Sequence, residues 1–194
     1  MNYNILHVGC HNGNDDIYSL ISENKNDVES VVLVDANPNC IEQTKKQYAE
    51  IPNCKFECFA VLPVSIGGLS IDLHSPVGEK TSEVSSVIKD FVTTHSKDAN
   101  TETFQAKTTT LKELLVKYPK TNYLSVDTEG LDVLNLFSLD SVDYENIKEI
   151  SFEFIHSDGT VSYGGSKLKS LLGHLSRLGF KDFCKKEFNI YCKK

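Results

Sequence analysis

Short apolar runs alternate with amphipathic stretches along most of this chain, and that alternation restricts the folds open to it. Ile5, Leu6 and Val8 lie in the run Asn4 to Val8, which stops at Gly9 and reads as a buried strand ending in a turn. Ile17, Leu20 and Ile21 follow at helical spacing, and Val31 to Val34 is a second apolar run closed by Asp35. Pro38 suits the first turn of a helix capped by Asn37, running to about Ala49 before Pro52. Phe56 to Val61 predicts a third strand, and Leu69 to Leu73 alternates like a fourth. Residues 75–102 are rich in Ser, Thr, Glu and Lys and predict an insertion or lid with a short helix near Val84 to Val92.

The second half repeats the pattern. Phe104 to Thr108 looks extended, and Thr110 with Glu113 forms a capping box for a helix through Leu111, Leu114, Leu115 and Tyr118, stopped by Pro119. Tyr123 to Val126 is a strand closed by Asp127, Leu131 to Phe137 a helix, and Ile147 to Ile155 a further strand. Leu168, Leu171, Leu172, Leu175 and Leu178 mark one helical face, with Gly179 as the cap. Phe180 to Cys184 and Phe188 to Cys192 predict a hairpin turning at Lys185-Lys186-Glu187. Alternating strands and helices imply a mostly parallel sheet covered on both faces. The closing helix and antiparallel hairpin match, by fold analogy, the Rossmann-like class I methyltransferase sheet of seven strands.

Bulk properties narrow the class. The 194 residues, 40% hydrophobic and 24% charged, fit a single domain spanning 1–194. A net charge of -7 disfavours general nucleic-acid binding, although Lys185, Lys186, Lys193 and Lys194 cluster in sequence. No run approaches the ~20 apolar residues of a membrane span. The first residues enter a strand without a secretory leader, so a cytoplasmic protein is expected. The six cysteines show no CxxC pair or zinc spacing and read as reduced, mostly core thiols.

Four features carry chemistry. The turn His7-Val8-Gly9-Cys10-His11-Asn12-Gly13-Asn14-Asp15-Asp16 spaces two glycines around a point where open α/β sheets bind ligands. Gly9 would turn the chain, and Gly13 would let a ligand approach the backbone. The missing GxGxxG penalises a diphosphate site. Asp35 lies about 20 residues beyond the turn, where an acid accepts both hydroxyls of a ribose. Adenosylmethionine and NAD both carry that ribose, so Asp35 alone leaves both open. The stretch Val126-Asp127-Thr128-Glu129-Gly130 puts two carboxylates at the end of a central strand, to hold a ligand ammonium or metal or to take a hydroxyl proton. In Ser151-Phe152-Glu153-Phe154-Ile155-His156, Glu153 interrupts an apolar run and His156 can act as a base near neutral pH.

With these residues in place, the sequence resembles the FkbM-type methyltransferase family, whose members mostly methylate hydroxyls on sugars, glycans and related natural products. The resemblance runs over nearly the whole chain: the glycine turn, Val34-Asp35-Ala36-Asn37-Pro38, Phe59-Ala60-Val61, Thr110 to Leu115, Val126 to Gly130 and Phe152 to His156. It departs at Asp35, where the family often has Glu, and at Ser125, where Lys is common. It implies S-adenosylmethionine as cofactor, bound by Gly9, Cys10, His11, Gly13, Asp16, Asp35, Ala36, Asn37, Ala60, Val61, Asp127 and Glu129. Methyl transfer to a small-molecule or glycan hydroxyl would use Glu153 or His156 as base, with Asp127 beside them. In a second version Asp127 and Glu153 hold Mg²⁺ or Mn²⁺. Residues 75–102 would choose the acceptor, and the unit could be a free enzyme or a module of a larger glycan-assembly protein. An NAD(P)-dependent or nucleotide-sugar enzyme is the alternative. A nucleic-acid N-methyltransferase would want Asn/Asp-Pro-Pro-aromatic where Asp127-Thr128-Glu129 stands.

Overall fold

The computed structural model describes residues 2–65, 67–78, 82, 84–96, 100–155 and 167–194. In chain order these form β1 (Tyr3–Val8), α1 (Asp16–Glu23), β2 (Val28–Asp35), α2 (Pro38–Gln47), β3 (Cys54–Cys58), β4 (Ala60–Leu62), β5 (Ser70–Pro76) and α3 (Lys89–His95). Then come β6 (Thr101–Thr110), α4 (Leu111–Lys117), β7 (Tyr123–Val126), α5 (Asp132–Phe137), β8 (Glu149–Glu153), α6 (Leu168–Arg177), β9 (Lys181–Lys186) and β10 (Asn189–Lys193).

The expected main sheet is present, in the order β3-β2-β1-β7-β8-β10-β9. Its first five strands run parallel, and β10 is antiparallel to both β8 and β9. Alternation of side chains divides the sheet between two cores. Leu6, Val8, Val34, Leu124, Val126 and Phe152 pack with α4, α5 and α6 on one face. Ile5, Val31, Leu33 and Tyr123 pack with α1 and α2 on the other. The strand order reverses beside β1, so the carboxyl ends of β1, β2 and β7 open one crevice, the usual ligand site of such sheets.

The helix caps stand at the residues that signal them. Asn37 caps α2, its side chain accepting from the Asn39 N–H at 2.9 Å. The Thr110–Glu113 box caps α4, and Gly179 adopts φ +94° after α6.

Three expectations change. The run Phe56 to Val61 is two strands, because Phe59 still donates its N–H to the Asp35 carbonyl at 3.0 Å. The chain then leaves the sheet, and Ala60–Leu62 pairs with β6 in a second sheet of order β4-β6-β5. The helix expected near Val84 starts only at Lys89, because the Ser86 backbone exchanges two hydrogen bonds with His74 and stays extended. The hairpin turns at Glu187-Phe188, since Lys186 pairs with Asn189. The six free thiols divide: Cys10, Cys40 and Cys192 are buried and Cys54 packs against the core, whereas Cys58 and Cys184 are exposed.

The sequence cluster of lysines is dispersed. Lys194 donates to the Tyr144 carbonyl at 2.5 Å, Lys185 lies over the Phe154 ring and Lys193 faces Asp182 at 3.8 Å. Among the described residues, no helix is long and apolar enough to cross a membrane.

Candidate active site

Register places the functional side chains in a row. Val8 pairs with Val34 on one side and Val126 on the other, and Val126 pairs with Phe152. One step further along each strand stand Asp35, Gly9, Asp127 and Glu153, at neighbouring strand ends roughly 4.8 Å apart. Two hydrogen bonds hold the row: the Gly9 N–H donates to the Val34 carbonyl at 2.8 Å, and the Asp127 N–H to the Val8 carbonyl at 2.9 Å.

The glycines serve the protein's own packing. A Cβ on Gly9 would lie 1.5 Å from the Asp127 carbonyl oxygen, and the residue sits at φ +80°. Gly13 was expected to admit a ligand, but its missing Cβ faces Tyr48 and Thr44 of the α2 region, at 2.9 and 3.0 Å. It lets the turn press against that helix. Cys10 likewise points into the core, its thiol 3.8 Å from the Thr44 hydroxyl.

A cavity of about 240 Å³ opens over the strand ends. Of the expected ligand contacts, it is lined by Gly9, His11, Asp35, Ala36, Ala60, Val61, Asp127 and Glu129. Cys10, Gly13, Asp16 and Asn37 are not on its wall. Asp16 accepts from the Tyr191 hydroxyl at 2.9 Å instead, and Asn37 is the buried cap already described. Glu153 lies just outside the wall, and His156 falls outside the described residues.

Asp35 is firmly held. One carboxylate oxygen accepts the His11 N–H and the other the Asn37 N–H, each at 2.8 Å. A carboxylate has about four acceptor positions, so lone pairs remain for two further donors. Burial nevertheless pushes its pKa up to about 6, against the pull of those two N–H groups.

The other acids show the same pressure. Burial lifts Asp127 to about 6, opposed by His7. Burial, with Asp127 and Asp132 nearby, lifts Glu153 to about 9. Asp132 is fully buried beneath the Asp127 turn, where it accepts the Thr128 N–H at 2.8 Å. One oxygen each of Asp127, Asp132 and Glu153 is buried without a hydrogen-bond partner. At pH 7 Asp127 is therefore mostly ionised, while Glu153 carries a proton and cannot accept another.

Sequence reasoning passed over several wall residues. His7 and Asp15 line the cavity as a bonded pair, Nε2 to Oδ2 at 2.9 Å. Asp15 was legible as the cap of α1, where its side chain accepts the Tyr18 N–H at 2.9 Å; its bond to a strand residue was not. Phe59, Leu73, Ser82, Ser85, Ser86 and Val87 also line it, as do Val8, Asn14, Thr128 and Leu131. Residues 82–87 come from the insertion, which is tied down where the Ser86 hydroxyl donates to the Glu129 carbonyl at 2.7 Å. Nothing local in the sequence marks that contact.

The chain matches no family model and no curated protein. Similar solved structures include the methyltransferase FkbM of Methylobacillus flagellatus KT, with 9% identity and a TM-score of 0.58, covering 100% of this chain and 44% of that one. They also include the CMeT domain of the citrinin polyketide synthase, with 8% identity, 99% and 46% coverage and a TM-score of 0.47. A third is M. capricolum TrmK in complex with S-adenosylhomocysteine, with 12% identity, 100% and 62% coverage and a TM-score of 0.41. The likeness to FkbM is one of fold, and the two lower scores add nothing to it. This chain has the class I methyltransferase fold, and it spans less than half the length of the FkbM chain.

Proposed function

We propose that residues 1–194 form one S-adenosylmethionine-dependent methyltransferase unit acting on a hydroxyl of a sugar, glycan or related small molecule. The observation that carries this reading is Asp35. It is held by two backbone N–H groups at the end of β2, with free lone pairs on the wall of a cavity whose neighbouring wall is acidic. Ribose hydroxyls suit those lone pairs, and Ala36, Phe59, Ala60 and Val61 offer apolar surface beside them for a base ring. Asp127 and Glu129 supply negative charge for a cationic ligand. When bound, adenosylmethionine supplies an electrophilic methyl group on a sulfonium centre.

The rest of the work falls to the chain: aligning a hydroxyl with that centre, excluding water and taking the hydroxyl's proton. Asp127 suits the last task best, being ionised at pH 7 and on the wall. Glu153 is protonated until a cation nearby draws its proton away. Ser82, Ser85 and Ser86, with Leu73 and Val87, form the wall on the insertion side and suit an acceptor rich in hydroxyls. Among the described residues no group of three or more His, Cys, Asp or Glu side chains is arranged to hold a metal ion. Asp127 and Glu153 alone fall short of such a group, and the proton transfer is derived with Asp127 as the acceptor.

Calorimetric titration with S-adenosylhomocysteine and with NAD tests the cofactor; binding of NAD alone would sink the reading. A methyl-transfer screen over monosaccharides and small glycans in EDTA tests the chemistry. Asp127→Asn is expected to lower turnover by about 10² to 10⁴-fold, the usual worth of a positioned base.

A further inference from the structure

His7 has an unusual position for a titratable group. It is 4% exposed, it lines the cavity, and its Nδ1 is buried without a hydrogen-bond partner. Its sheet neighbours in register are Leu33 and Ser125, neither of which ionises near neutral pH. The charged groups around it belong to three other segments: Asp15 at the start of α1, Asp35 at the end of β2 and Asp127 at the end of β7. His11, on the glycine turn, acts with His7 on both Asp35 and Asp127, and Asp15 acts on Asp127 as well.

Asp15 accepts at Oδ2, and the bond to His7 together with the Tyr18 and Ile17 N–H groups outweighs burial and keeps it ionised. Nε2 therefore carries a hydrogen in either charge state, and Nδ1 is where the ring gains or loses its proton. A proton on Nδ1 has no acceptor. Burial works against the charged ring; Asp15, then Asp127 and Asp35, outweigh it and hold the pKa above its ordinary value. That proton is kept by the field of the carboxylates rather than by a bond.

We propose that His7, backed by Asp15, is a residue that discriminates between sulfonium cofactor and thioether product: adenosylmethionine in the cavity weakens the ring's hold on its Nδ1 proton, and S-adenosylhomocysteine weakens it less. The inference rests on the cofactor reading above. Adenosylmethionine brings two positive charges, the sulfonium and the ammonium, against one carboxylate. Beside Asp127, those charges offset part of the field that holds the Nδ1 proton, and the proton is released to the solvent at a lower pH. S-adenosylhomocysteine lacks the sulfonium charge and offsets less of it. Cofactor affinity therefore falls faster than product affinity as pH drops through the His7 pKa, by up to tenfold per pH unit.

The test combines ¹⁵N NMR of the histidine rings with titrations of both ligands between about pH 5.5 and 8.5, the range in which imidazole changes charge. His7→Gln assigns the resonance and keeps a donor for Asp15, and thermal melting confirms that the variant folds. The expected result is that the titration midpoint of the His7 ring falls on adding adenosylmethionine and falls less with S-adenosylhomocysteine. The cofactor-to-product affinity ratio should depend more weakly on pH in His7→Gln, the remainder belonging to Asp35 and Asp127. A His7 midpoint that the cofactor does not lower, or an identical ratio profile in the variant, overturns the inference alone. Absence of binding of either ligand at every pH overturns the cofactor reading itself and this inference with it.

Discussion

At the scale of single residues, the crevice depends on one absent methyl group. Gly9→Ala would place a Cβ 1.5 Å from the Asp127 carbonyl oxygen, at a φ of +80° that L side chains avoid. Either β1 or the turn after β7 must move, so the variant should lose at least about 2 kcal/mol of stability in urea unfolding. Its affinity for S-adenosylhomocysteine should fall with it. Glu153 offers a test of opposite sign. Its pKa is raised from 4.5 to about 9, so the fold favours the protonated form. That stability is complete below pH 4.5 and drains away as pH climbs toward 9. Glu153→Gln has no charge to bury. Between pH 6 and 9 the wild type should lose upward of about 1 kcal/mol more than the variant, read from paired urea midpoints. A wild type with the flatter profile would contradict the buried, protonated carboxyl.

At the scale of elements, the helices were the most legible parts, because their signals are local. A cap, a stripe of apolar residues and a stop lie within a dozen positions, as Asn37 with α2 and Thr110 with α4 show. Strands were legible where apolar runs ended in an acid or glycine. They were misjudged where one run served two sheets, as at Phe59. The insertion was the least legible segment. Its β5 stem pairs with β6 from Pro76–Thr101 back to Ser70–Lys107, contacts between residues 25 to 37 positions apart, which no short window reveals. Among the described residues, the Ser86 hydroxyl ties the insertion to the Glu129 carbonyl and also accepts the Ile88 N–H. Ser86→Ala removes that hydroxyl, a loss of roughly 1 kcal/mol. Weaker acceptor binding, seen as a higher KM for the acceptor with kcat little changed, is the expected outcome. An unchanged KM would mean that the insertion does not shape the acceptor side.

At the scale of the whole molecule, ligand binding at the crevice should be felt throughout the fold, because β1, β2 and β7 belong to its central sheet. S-adenosylhomocysteine at about 100 times its Kd should add about 2.7 kcal/mol. For a chain of this size that is a rise in Tm of about 5–10 °C in a thermal scan. NAD at the same concentration should leave Tm unchanged. Sequence alone determined the class of architecture, the ends of β1, β2 and β7 and the acids that close the last two, because periodicity, caps and turn residues are local facts; it ran β8 on to Ile155, past its end at Glu153. It also singled out Asp35, Asp127 and Glu153, which the sheet brings to neighbouring strand ends. Only the tertiary structure decided that Gly13 serves packing, that Cys10 faces the core, that His7 and Asp15 form a pair at the cavity and that Ser86 closes its wall. Those facts depend on which strands and turns lie side by side. The charge states of the acids follow from that same proximity: burial and neighbouring carboxylates lift Glu153 to about 9 and leave it protonated at pH 7, whereas His7 opposes the same pressure on Asp127, which rises only to about 6 and stays mostly ionised.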